Sequence, residues 1–143
     1  MGTMTRLPDW QPRLHAWLRR VNGTPFVPGS HDCCLFGAGA IEAQTGVDIA
    51  AAWRGRYTTL AGGRRVLRKA GFADHVALIE ATLPMIHASY AREGDLALVE
   101  AEGEWAVGVN QGTAIYILTQ SGRLGFALLT PETRMFEVGS WPR

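Results

Sequence analysis

The side chains that could do covalent chemistry near neutral pH are thiols and imidazoles, and the sequence gathers some of each in one short stretch. Both cysteines lie in Pro28-Gly-Ser-His-Asp-Cys-Cys-Leu-Phe36, directly after His31 and Asp32. Pro28-Gly29 reads as a turn, and Ser30 and Asp32 as capping residues. A helix is expected from Cys33 to about Thr45, with Gly46 as its C-cap. Cys33 and Cys34 then fall in the first turn. Backbone N–H groups converge there, and the helix dipole favours a thiolate. A nucleophilic thiol also needs a base for its own proton and an acid for the leaving amine. His31 is close in sequence but precedes the helix; His75 starts a later helix, and His87 sits in the connection between Pro84 and Gly94. Cys33, Cys34 and a histidine could ligate a metal, but adjacent cysteines without Cys-x-x-Cys or His-x-x-x-His spacing are a weak metal signal, and an iron–sulfur site would need ligands from other chains, so no metal and no cofactor are expected. Gly37-Ala-Gly39 lacks the strand–glycine–helix context of a phosphate loop.

Length and charge bound the function further. The 143 residues suit a single domain spanning 1–143 with a real core. A formal charge of +1 gives no electrostatic footprint for nucleic acid. No run of ~18 apolar residues is present, so no membrane span is expected. The start, Met1-Gly-Thr-Met-Thr-Arg6, has neither the apolar stretch of a signal peptide nor the Ser or Thr that myristoylation asks for at position 6. Two neighbouring cysteines make no disulfide framework, and the chain reads as made in a reducing bacterial cytoplasm.

Helices surround the thiols in the first part of the chain, and strands follow from Gly94. Asp9 is placed to cap a helix from about Trp10 to Val21, with Trp10, Leu14, Trp17, Leu18 and Val21 as its apolar stripe. On the cysteine helix, Cys33, Phe36, Gly37, Ala40 and Ile41 can share a buried face, and the Gly37/Gly39 pair suggests close approach of another backbone. A short helix is expected around Ala50–Trp53. A further one runs from Thr58 or Thr59 to Ala70, carrying Arg64, Arg65, Arg68 and Lys69 on a solvated face. Asp74 caps a last helix that Pro84 ends. From Gly94 the period becomes extended: Asp95–Glu100, Trp105–Val109, Thr113–Thr119, Leu124–Leu129 and a short Met135–Val138. Helices first and an antiparallel meander second make the class α+β.

His31-Asp32-Cys33-Cys34-Leu35-Phe36, Gly94-Asp95-Leu96-Ala97-Leu98 and Ala106-Val107-Gly108-Val109 occur in an order that resembles the NlpC-like cysteine peptidases. These are papain-fold enzymes that cut peptidoglycan stem peptides. The resemblance covers about Phe26 to Leu118. It implies a papain-like NlpC-type fold, with N-terminal helices packed on the meander and Cys33 at the nucleophile position. It also implies that the family's catalytic histidine is replaced by Ala106, and that its orienting residue falls near Tyr116. Loss of a base removes ~100- to 10,000-fold of rate.

Trp10, Pro25-Phe26, Thr45-Gly-Val-Asp48 and Arg54-Gly-Arg-Tyr-Thr-Thr59 are similar to a phage- and prophage-encoded branch of small NlpC-like proteins, which implies a place among tail genes. The expectation is therefore a tail-tip or tail-assembly structural protein of the virion tail, bound to other tail-tip or baseplate proteins and inactive as an enzyme. The alternative is an active cysteine endopeptidase acting on peptidoglycan or a tail protein, with Cys33 as nucleophile and His31, His75 or His87 as a replacement base. Trp53, Trp105 and Trp141 are expected to serve as partner anchors.

Overall fold

A computed structural model of the chain describes residues 4–101, 103–119 and 121–139. It is α+β: helices α1 (Trp10–Val21), α2 (Cys33–Thr45), α3 (Leu60–Lys69) and α4 (His75–Thr82) precede strands β1 (Met85–Ile86), β2 (Leu96–Ala101), β3 (Glu104–Asn110), β4 (Ala114–Leu118), β5 (Leu124–Leu128) and β6 (Arg134–Phe136). The strands form one sheet in the order β1-β6-β2-β3-β4-β5, and every neighbouring pair is antiparallel.

Side-chain period decides the layers. All five residues of the α1 stripe are buried. With Phe36, Ala40 and Ile41 of α2 they pack on Leu96, Leu98, Val107 and Val109, alternate residues of β2 and β3. The opposite face of the sheet is covered by the chain after β1, where Ala88 packs with Ala97, Ile115 and Met135. Helix α2 is the central element. Asp32 is its N-cap, Gly46 closes it at φ 77°, and it is buried on nearly all sides.

Three local expectations need correcting. Residues 50–53 form turns and not a helix. Asp48 accepts from the Ala50 N–H at 3.0 Å and from Arg54, and this local side-chain bonding closes the chain before a helical nucleus can extend. Asp9 does hold the N-cap position of α1 but makes no side-chain cap bond; its backbone, at φ −105° and ψ 28°, lacks the extended geometry that aims a capping oxygen. Gly37 and Gly39 admit side chains and not a backbone. A Cβ at Gly37 would meet Val107 Cγ1 at 3.1 Å, and one at Gly39 would meet the Trp17 ring at 2.5 Å.

The Trp17 indole stacks on Phe36 with ring centroids 5.2 Å apart, so it has little room to retreat. Gly39→Ala is therefore expected to lower stability by about 1–3 kcal/mol despite the better helix propensity of alanine. Urea denaturation monitored by tryptophan fluorescence measures it; a stabilised variant would show that the indole can move aside.

Candidate functional site

The start of α2 is built from Asp32. Its Oδ1 accepts the Leu35 N–H at 3.0 Å, while Oδ2 accepts the Gly29 N–H at 2.9 Å and the Tyr57 hydroxyl at 2.6 Å. One carboxylate thus fixes the Pro28-Gly29 turn, the first turn of α2 and the segment leading to α3. Ser30, the other capping candidate, is not the residue at the N-cap.

The sheet opens opposite this helix end. In β3 the Asn110 N–H bonds the Asp95 carbonyl at 2.9 Å, so even-numbered residues turn their backbone groups to β2 and odd-numbered ones to β4. The β2–β3 ladder runs on to Ala101↔Glu104, but the β3–β4 ladder stops at Gly108↔Ile117. Val107 and Trp105 consequently face an opening between β3 and β4. There the Val107 backbone hydrogen-bonds the Cys33 thiol, and the Trp105 carbonyl accepts the His75 Nε2–H at 2.8 Å.

The opening belongs to a cleft of about 570 Å³, lined by Asp32, Cys33 and Cys34 on one side, Leu60, Arg64 and Leu67 of α3 on another, and Glu104, Trp105, Ala106 and Ile117 across from them. His75 stands on its wall. The structure therefore brings Cys33, Cys34, Ala106 and His75 to one cleft.

The other two candidate bases lie elsewhere. His31 does not line the cleft; it is buried with its ring edge-on to Phe36 at 6.3 Å, and its Nε2 has no hydrogen-bond partner. Burial, partly opposed by the Asp32 charge, holds its pKa below the ordinary value. His87 is exposed and bonds Ser89 through Nδ1.

The thiols are in a poor state for nucleophilic attack. Both are free and half-buried. Burial, followed by the negative charges of Asp32 and Glu104, pushes Cys33 up to about 11 against the hydrogen bond from Val107. Burial and Asp32 push Cys34 up to about 12. Desolvation and two nearby carboxylates outweigh the helix terminus that favoured a thiolate on sequence grounds. At pH 7 a pKa of about 11 leaves roughly one Cys33 in ten thousand ionised.

Iodoacetamide should accordingly alkylate Cys33 about a hundredfold more slowly than a free cysteine at neutral pH, with the rate rising nearly tenfold per pH unit up to about pH 10. A profile that flattens near pH 7 would show a thiolate activated by a partner.

Tyr57 and Glu104 are site residues that sequence reading did not single out. Tyr57 OH donates to Asp32 from 25 residues away, and burial raises its pKa. Glu104 opens β3, one residue before Trp105. Trp105 is 39 % exposed, with the Arg134 guanidinium 5.2 Å from its ring centre. Trp53 is half-buried and edge-on to Phe72 at 6.3 Å, while Trp141 lies outside the described residues. Among the described residues no group of three or more His, Cys, Asp or Glu side chains could hold a metal ion, and no helix is long and apolar enough to cross a membrane.

The chain belongs to the DUF6950 family, a domain of unknown function, whose match covers residues 5–138. No curated protein and no solved structure matches it.

Proposed function

We propose that this DUF6950 member is a binding subunit of a phage tail tip, made in the bacterial cytoplasm and carried in the virion tail, on an NlpC-like, papain-type scaffold that has given up hydrolysis. The observation that carries the reading is the state of Cys33. It stands at a helix N-terminus in a cleft, as a papain-type nucleophile would, yet its pKa is pushed up to about 11 and position 106 offers only a methyl group. With alanine at position 106, the place the family gives its histidine supplies such a thiol neither a base to generate the thiolate nor an acid for the leaving amine. What survives is a cleft with apolar walls and a few polar groups, the composition of a recognition site. Tail-tip and baseplate proteins are the proposed neighbours, on the strength of the resemblance carried by Thr45-Gly-Val-Asp48 and Arg54-Gly-Arg-Tyr-Thr-Thr59.

Two measurements test the proposal. Purified protein incubated with peptidoglycan stem peptides should release no product by mass spectrometry. In phage, Cys33→Ala should leave tails intact while deletion of the whole chain should leave them defective.

One observation favours the enzymatic alternative: His75 shares the cleft with Cys33. Because Nε2–H is donated to the Trp105 carbonyl, Nδ1 is the atom left to accept a proton. On that reading stem peptides or a tail protein are cleaved, and both Cys33→Ala and His75→Ala abolish the cleavage.

A further inference from the structure

Strand β5 closes the sheet at one end, so among the described residues one of its two backbone edges has no strand beside it. Natural sheets protect such an edge with charge, proline or a bulge. The opposite edge is β1, only two residues long and preceded by Pro84. By contrast Leu124-Gly-Phe-Ala-Leu-Leu129 holds no charge and no proline. Phe126 is 68 % exposed and Leu128 77 % exposed.

The hydrogen bonds define which groups remain open. The Leu129 N–H bonds the Thr113 carbonyl at 3.2 Å, so odd-numbered residues of this strand turn to β4 and even-numbered ones turn outward. Of the outward N–H groups, that of Leu124 is taken by the Asn22 side chain at 3.2 Å and that of Thr130 by the Thr133 hydroxyl at 3.0 Å. Phe126 and Leu128 lie between these two plugs, and among the described residues their outward N–H and C=O groups are open.

We propose that β5 pairs antiparallel with β5 of a second copy, about a two-fold axis at Ala127. Three isologous registers bring the outward groups of this strand together. A centre at Phe126 would need the Leu124 N–H, and a centre at Leu128 would need the Thr130 N–H; both are occupied. A centre at Ala127 sets Phe126 opposite Leu128 of the second copy and the reverse, making four backbone hydrogen bonds from the four open residues.

Side-chain placement agrees with that register. Phe126 and Leu128 project to one face, so the pairing gathers two copies of each into one apolar cluster beside Tyr116, whose ring centre is 4.9 Å from that of Phe126. The small Ala127 meets its own copy on the other face. The two sheets become one continuous twelve-stranded sheet, counting six strands from each copy.

Sedimentation of the full chain over a range of concentrations should show a reversible monomer–dimer equilibrium. Leu128→Pro removes an outward N–H and leaves the β4–β5 ladder intact, so it should weaken dimerisation at least about tenfold with an unchanged circular dichroism spectrum. Ala127→Cys places two thiols across a non-hydrogen-bonded pair and should give a covalent dimer under mild oxidation, above the level of the parent protein and of Phe126→Cys. A chain that stays monomeric at every concentration, a dimer that Leu128→Pro leaves unchanged, or one that Ala127→Cys fails to trap would each overturn the proposal.

Discussion

Arg6→Ala should cost about 3–5 kcal/mol, the largest loss expected from any single substitution considered for this chain. Arg6 is only 1 % exposed, and its guanidinium donates to Asp95 Oδ1 at 2.7 Å, the Val138 carbonyl at 2.8 Å and the Glu93 carbonyl at 2.6 Å. It also lies 4.4 Å from the Trp10 ring centre. One side chain therefore ties the chain ahead of α1 to the start of β2 and the end of β6. Burial lowers the Arg6 pKa and raises that of Asp95, so each charge is costly there without the other. Truncation leaves the Asp95 carboxylate with the Val138 and Arg92 N–H groups but without the guanidinium charge. Against a typical total of about 5–15 kcal/mol, the loss is a third or more for many domains. Urea denaturation should find Arg6→Ala and Arg6→Lys both destabilised, since an ammonium cannot reproduce three planar donors. Arg6→Ala combined with Asp95→Ala should lose much less than the sum of the two. Additive losses would mean that the pair contributes packing alone.

Arg6 also shows where sequence reading stopped. The α1 stripe was legible because five apolar residues at helical spacing admit one buried face, and all five are buried. Asp32 was legible as a cap from its place before Cys33, and Asp74 likewise before α4. The meander was legible from period-two alternation between glycine turns. An arginine ahead of Leu-Pro carries no such pattern; its partner is 89 residues away, and only the fold supplies it. Tyr57 is the same case, a residue in a turn-rich stretch whose hydroxyl finds Asp32 through tertiary approach. Strand β1 is two residues long and exists through its pairing with β6, so no periodicity could announce it. At the site, the helix N-terminus was legible but the desolvation and the Glu104 charge that oppose it were not.

Asp32→Ala should destabilise the chain by about 2–4 kcal/mol while making Cys33 more reactive, and the opposite signs are what make it informative. The stability loss follows from its three hydrogen bonds. Loss of an N-cap costs about 0.5–2 kcal/mol, and a buried donor left without a partner about 1–3 kcal/mol. The Gly29 N–H and the Tyr57 hydroxyl both depend on this carboxylate, at 2.9 and 2.6 Å. The Gly29 backbone packs so closely on the Tyr57 carbonyl that the turn has little freedom to find another partner. Reactivity follows from charge. Asp32 is the second-largest cause of the raised Cys33 pKa, after burial, so its removal favours the thiolate. Asp32→Asn keeps an acceptor for the Leu35 N–H and removes the charge; it should lose less stability and gain a similar reactivity. Tyr57→Phe, which deletes one donor and keeps the charge, should lower stability without raising reactivity. Denaturant midpoints and iodoacetamide rates at pH 8 on the three variants separate the two effects. Rates that fall with stability across the series would show that Asp32 helps to activate the thiol, and would move the balance toward the enzyme.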